Sequence, residues 1–230
     1  MDYLALVNQG MLLSRVGEAR LSEPMTTFDG ATGPAYEMIQ WIAQADLDLQ
    51  LARNGWLFMR DSADLLLPQG AASLVPSASL STIRSVIPAE DDAGLRSIGC
   101  YKDSPSDTSR VNLIDYEAWY GNAIGTDALG RSGRPGRFTE RSGNLYFDTT
   151  ADANYKITFD FLRKPIRMAV ASSESVIPVE HRMAIVWWAL ARYYCTTRER
   201  SADFRNRCAV ELDREMHRLY GSQLSAMVAM

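Results

Sequence analysis

Only three cysteines, Cys100, Cys195 and Cys208, and two histidines, His181 and His217, occur in the 230 residues. An odd cysteine count without paired spacing supports neither a disulfide framework nor a zinc site, fits a reducing cytoplasm, and leaves the thiols as small buried hydrophobes. Positive charge is in short supply: the formal net charge is -4. That argues against a dedicated nucleic-acid binder, though not against a protein that lets DNA pass without gripping it. No apolar run reaches the roughly 20 residues that cross a bilayer. The start, Met1-Asp2-Tyr3-Leu4, has neither the basic region nor the apolar core of a signal peptide. HExxH and GxxxxGK[ST] are missing as well, so neither zinc-protease nor P-loop chemistry is offered.

The composition, 47% hydrophobic and 23% charged, is that of a globular chain of one domain or two closely joined ones. Its organising stretch runs from Ile177 to Ala191. Pro178 suits a first helical position and Glu180 complements the helix dipole. From Met183 to Ala191 every residue is apolar, around most of the helix circumference, so this helix must be covered on more than one side. It reads as the core helix, with Trp187 and Trp188 as core and subunit-contact residues rather than a stacking platform.

Leu4, Val7 and Met11 mark a first helix, roughly Asp2 to Arg20, and Met38, Ile42, Ala45, Leu49, Ala52 and Trp56 mark a second that ends near Asn54-Gly55. After Gly55 the texture turns β-like. Candidate strands are Trp56–Met59, Ala63–Leu67, Leu80–Ile87, Ser97–Tyr101, Arg137–Glu140, Asn144–Phe147 and Tyr155–Leu162, with a hairpin turn at Arg141–Asn144. Leu113–Tyr120 reads as a short helix, and Gly121–Gly136, with five glycines, as a mobile excursion. Phe204, Cys208, Leu212, Met216 and Leu219 give a last amphipathic helix capped by Gly221. Whether Thr196–Ser201 is a turn is left open by the sequence. The expected fold is α+β: a helical base of about four helices, two N-terminal and two C-terminal (1–55 and 165–221), an inserted, mainly antiparallel β module (56–164), and an apolar tail (222–230) suited to assembly with a partner.

No constellation of residues carries catalysis. His181 beside Glu180 has no Ser or Cys nucleophile motif and reads as structural or solvated; Glu90-Asp91-Asp92 reads as a solvated loop. Arg131, Arg134, Arg137 and Arg141 form a flexible basic loop suited to a protein neighbour first and DNA phosphates second. Catalytic, cofactor and metal residues are therefore none.

The order of motifs resembles the head-to-tail adaptor (connector) proteins of tailed bacteriophages. The resemblance rests on the N-terminal helix and loop, the Ile39 to Trp56 helix closing on Trp56-Leu57-Phe58-Met59, Ile114-Asp115-Tyr116-Glu117-Ala118-Trp119, Gly133-Arg134-Pro135 before Phe138-Thr139, Leu145-Tyr146-Phe147, Tyr155-Lys156-Ile157 leading to Lys164-Pro165, and Ile177-Pro178 followed by His181. It departs between Asp148 and Asn154, where the family's proline-rich text is replaced by Thr149-Thr150-Ala151-Asp152-Ala153. The resemblance implies a non-enzymatic virion structural protein of the neck, made in the host bacterial cytoplasm. It implies a ring, commonly of twelve copies, docked under the portal protein, continued by a tail, nozzle or tail-terminator protein, and passing double-stranded DNA without sequence-specific contact. No cofactor and no membrane enter. Two alternatives stand beside it: a DNA-binding accessory protein using the Arg131–Arg141 loop, and an enzyme whose site gathers His181, Glu90 and Asp91.

Overall fold

The computed structural model describes residues 1–14, 24–53, 55–74, 82–90, 94–102, 107, 109–125, 131–141, 144–197 and 200–224, without the side chains of 122–125 and 224. The chain divides into two compact units, one of Met1–Phe58 with Pro165–Met230 and one of Met59–Lys164. The class is α+β.

The first unit is helical. Helix α1 (Tyr3–Ser14) starts where Asp2 Oδ1 accepts the Ala5 N–H at 2.8 Å, and buries Tyr3, Leu6, Val7 and Gly10. Gly10 is a close-approach residue, since a Cβ there would lie 2.9 Å from Met38 Sδ. Helix α2 (Gly33–Leu51) has Pro34 in its first turn, where a missing N–H costs nothing, and buries Met38, Ile39, Ile42, Ala45 and Leu49. It stops at Leu51 instead of running to Asn54-Gly55. Trp56 shares the spacing of the apolar seam but has left the helix. Its indole N–H turns back to donate to the Leu49 carbonyl at 2.9 Å, and its ring stacks on both Phe58 and Tyr220 at 5.3 Å. The expected strand Trp56–Met59 is a 3-10 turn over Leu57–Met59, because Leu57 and Phe58 give their N–H groups to a side chain, Gln223, and not to a neighbouring strand.

Pro178 precedes a 3-10 turn (Val179–His181), which leads into α4 (Met183–Ala189), a π turn (Leu190–Tyr194) and the short α5 (Cys195–Thr197). Ala184, Ile185, Val186, Trp187, Ala189 and Leu190 are all buried, and α4 packs against α1, α2 and α6. The all-round apolar sequence is thus matched by cover on several sides. Helix α6 (Ala202–Leu224) begins at a serine cap: Ser201 Oγ accepts the Phe204 N–H at 3.2 Å and its carbonyl accepts the Arg205 N–H at 3.2 Å. A hydroxyl cap does here what no Gly or Pro signalled, so the chain does break before Ala202. Gly221 is not a cap, for α6 continues through it to Leu224. Of the expected tail, 222–224 is helical and 225–230 lies outside the described residues.

The second unit is built on β1 (Arg60–Leu67), β2 (Ser73–Leu74), β3 (Ile83–Ile87), β4 (Ala89–Glu90), β5 (Arg96–Lys102), β6 (Arg110–Leu113), helix α3 (Tyr116–Gly125), β7 (Ser132–Gly133), β8 (Arg137–Arg141), β9 (Asn144–Phe147), β10 (Thr150–Ala151) and β11 (Tyr155–Arg163). Nine strands form one sheet, ordered β1-β11-β5-β6-β8-β9-β2, with β3 on β11 and β4 on β5; a small β10-β7 pair stands apart. Pairing is antiparallel except for β6 with β8 and β10 with β7. β11 is central. Tyr155, Ile157, Phe159 and Phe161 are buried as the alternation requires, and the strand pairs with β1 along its length and with β5 and β3 on its other edge. Leu67 of β1 and Leu74 of β2, from opposite ends of the strand order, join one core with Ile98, Val111, Phe138, Phe147 and Phe161. A sheet whose two ends share a core is curled.

Two expectations shift here, and the hairpin stands. The short helix begins at Tyr116, because Leu113 pairs as a strand with Phe138. The supposed mobile excursion is regular on both flanks, α3 taking Gly121–Gly125 and β7 taking Ser132–Gly133; 126–130 lies outside the described residues. Arg141 and Asn144 pair across the β8–β9 hairpin, whose two turn residues are likewise outside them.

Candidate functional site

The four arginines of the basic segment sit on strands and their connections, and they divide into two kinds. Arg134 is built in. Its guanidinium donates to both carboxylate oxygens of Asp107 at 2.9 and 2.8 Å and to the Cys100 carbonyl, and lies 5.5 Å from the Tyr155 ring centroid. Asp107 also accepts the Lys102 N–H at 2.7 Å and both the N–H and hydroxyl of Ser109. The Arg134 bond, with these others, holds the Asp107 carboxyl far below the usual carboxylate range. Arg141 stacks over Tyr116 at 4.3 Å and donates to its hydroxyl. Arg131 and Arg137 are exposed and make no ion pair among the described residues. The flexible basic loop of the sequence is therefore a β-structured segment, with two arginines locked and two presented to solvent.

In the helical unit a buried polar network fixes the irregular stretch between Lys164 and Pro178. Asp46, fully buried on α2, accepts from Ser175 Oγ and from Gln50 Nε2 at 2.8 Å. Gln50 clasps Ile166 by both backbone groups, accepting its N–H at 2.9 Å and donating to its carbonyl at 3.0 Å. Arg182 donates to the carbonyls of Ile177, Ser175 and Met1 and to Glu174 Oε2. Burial drives the Asp46 carboxyl up to about 6, against the pull of Ser175, Gln50 and Arg182. Ser173 Oγ accepts the Ala169 and Val170 N–H groups. The stretch is held by these bonds, yet Ile166 and Val170 within it, and Val179 just beyond it, are 52%, 60% and 61% exposed. Apolar side chains held outward by a pinned backbone are suited to contact, since ordering them on binding costs little further entropy.

Of the other candidates from the sequence, both histidines belong to the helical unit and Glu90 to the β module. His181 is buried at the 3-10 turn, its Nδ1 without a hydrogen-bond partner among the described residues, while His217 lies exposed beside Asp213 on α6. Glu90 pairs with Arg96 at 3.6 Å, both well exposed, and Asp91 and Asp92 lie outside the described residues. Among the described residues no three His, Cys, Asp or Glu side chains are grouped to hold a metal ion. The residues that sequence reading passed over are the buried Asp46, Gln50 and Arg182. Asp46 was visible in principle, as a carboxylate one turn from both Ile42 and Gln50 within an apolar seam.

The family model described as SU10 adaptor protein matches residues 1–229. The chain belongs to that family. It is a phage head-to-tail adaptor, a structural family and not one of enzymes. No curated protein matches it. Among the described residues no helix of the adaptor is long and apolar enough to cross a membrane.

Proposed function

We propose that this adaptor works as a ring, commonly of twelve copies, in the neck of the virion, joined to the portal protein on one side and to a tail, nozzle or tail-terminator protein on the other. Double-stranded DNA passes through its centre without sequence-specific contact. The chain is made in the host cytoplasm, catalyses nothing and needs no cofactor. The reading is carried by the family match over residues 1–229. It is supported by the exposed apolar side chains of Ile166, Val170 and Val179, which a neighbouring copy or a portal subunit would cover. The helical base (1–55 and 165–221) is proposed as the part that assembles, the β module (56–164) as the part that shapes the neck, and the end of the chain (222–230) as an added contact.

The test is the mass of the native assembly, alone and with the portal protein. A ring that becomes a monomer on Val170→Asp, with secondary structure retained, is the expected result. A wild-type monomer that ignores the portal would sink the proposal. The DNA-binding alternative is narrowed to Arg131 and Arg137, because Arg134 and Arg141 are engaged within the fold. A salt-dependent DNA affinity lost in the Arg131→Ala, Arg137→Ala pair would favour it.

A further inference from the structure

We propose that neighbouring copies of the adaptor join head to tail through their helical units, the Val179-Glu180 turn of one copy seating on a pocket of the next that carries Arg167. The pocket, about 260 Å³, is lined by Tyr3 of α1, by Ile39, Gln40 and Ala43 of α2, and by Arg167 and Met168. A cavity of about 150 Å³ admits a benzene ring, so this one has room for a side chain. Its floor is apolar and settled: Ile39, Ala43 and Met168 are buried, and the Tyr3 hydroxyl already donates to the Ile39 carbonyl. Arg167 is the charged group of the lining. It is exposed, donates to Gln40 Oε1 at 2.7 Å, and makes no ion pair among the described residues. A guanidinium held by one bond has other N–H donors to offer, and the group they fit is a carboxylate. Ile166 and Val170, on either side of this stretch of chain, are exposed apolar flanks.

The same unit carries the matching group. Val179 and Glu180 stand exposed side by side in the 3-10 turn, and Glu180 makes no ion pair among the described residues. Their backbone is held in place. The His181 N–H donates to the Pro178 carbonyl at 2.9 Å, and the buried Arg182 donates to the carbonyls of Ser175, Ile177 and Met1. The turn packs on α6 and neither Val179 nor Glu180 lines the pocket, so each copy presents both halves of the joint at different places. Two different patches that fit each other make a heterologous contact, the kind that closes into a ring. Glu180 on Arg167 sets which patches meet and in what register. An exposed ion pair is weak alone, so cohesion falls to Val179 against the apolar lining and its flanks, repeated at every joint of the closed ring.

This joint rests on the ring proposed above, and the two can fail separately. The experiment follows the native mass of the full-length chain against its concentration, alone and with the portal protein. Arg167→Glu and Glu180→Arg each set like charges across every joint, so each should move the midpoint of assembly to about tenfold higher concentration or beyond. Both side chains are exposed, so far-ultraviolet circular dichroism of the single variants should match wild type. The double variant, which reverses the pair, should assemble like wild type. An equimolar mixture of the two single variants should assemble where neither does alone, because alternating copies meet with opposite charges at each joint. Single variants that form rings normally leave the ring standing and overturn this joint. Losses recovered neither by the double variant nor by the mixture overturn it too, since the pair is then not their cause. A wild-type chain that stays monomeric with and without the portal protein removes the ring, and the joint with it.

Discussion

Gln223 binds Leu57 across 166 positions of sequence: its Oε1 accepts the Leu57 N–H at 2.7 Å and the Phe58 N–H at 3.3 Å. One side chain in the last turn of α6 thereby satisfies two backbone donors just beyond α2. Gln223→Ala should lower the unfolding free energy by about 1 to 3 kcal/mol, the cost of leaving half-buried donors unpaired. Urea titration checks it. A chain truncated after Leu224 should match full length, whereas one truncated after Gly221 should match Gln223→Ala or fall below it; equal stability of the two truncations would show the bond to be unimportant.

Asp46 makes the helical unit pH-sensitive in a defined direction. Its carboxyl titrates at about 6 in the fold against 3.8 in a model compound, so the folded chain binds the extra proton between those values. The stabilising contribution is complete below about 4 and is lost as the pH rises through 6; two units correspond to about 3 kcal/mol at most. Asp46→Asn cannot ionise. Relative to wild type, that variant should gain stability steadily from pH 4 to pH 7, read by denaturant melts at each pH. A difference that stays flat across the window would place the Asp46 titration elsewhere.

Arg134 and Asp107 should behave as one unit in the β module. Arg134 Nη2 reaches both Asp107 oxygens, and each partner has further bonds that depend on its position, Arg134 to Cys100 and Asp107 to Lys102 and Ser109. Arg134→Met and Asp107→Asn should each destabilise, and the double variant should lose clearly less than their sum. Because the Asp107 carboxyl is held well below its ordinary value, its contribution is present above about pH 4 and is lost as the pH falls toward the lowered value. Arg134→Met should therefore unfold at a higher pH on acid titration by near-ultraviolet circular dichroism. Additive losses, or an unmoved acid midpoint, would dissolve the unit.

What could be read in the chain before folding was whatever repeats locally. The Tyr155–Phe161 alternation, the apolar seam of α2 and the apolar girth of α4 all reflect a side-chain period imposed by the backbone. Trp56 misled because it falls on the seam's period while its indole bond to Leu49 requires the helix to have ended. Strands of two residues such as β2 and β10 have no period to detect. Partnerships were the least legible: the arginine cluster stands out, but Asp107 lies 27 positions from Arg134, and Ser175 lies 129 from Asp46. Nothing local marks either pair.

The two adjacent tryptophans of α4 offer a last test, since they share a residue type and differ in surroundings. Trp187 is 8% exposed, on a helix whose Ile185, Val186 and Ala189 are also buried. Trp188 is half-buried, lies under the Arg192 guanidinium at 4.5 Å and reaches Asp48 Oδ2 only at 3.4 Å. Trp187→Ala should cost about 3 to 5 kcal/mol, the transfer loss of a buried indole plus the cavity left in a helix covered on several sides. Trp188→Ala removes a surface that water already touches in part and a long hydrogen bond, so its cost should be less than half of that. Thermal melts of the two single variants decide the matter. Equal losses would mean that Trp188 contributes as much as Trp187 despite its greater exposure, and would sink the prediction.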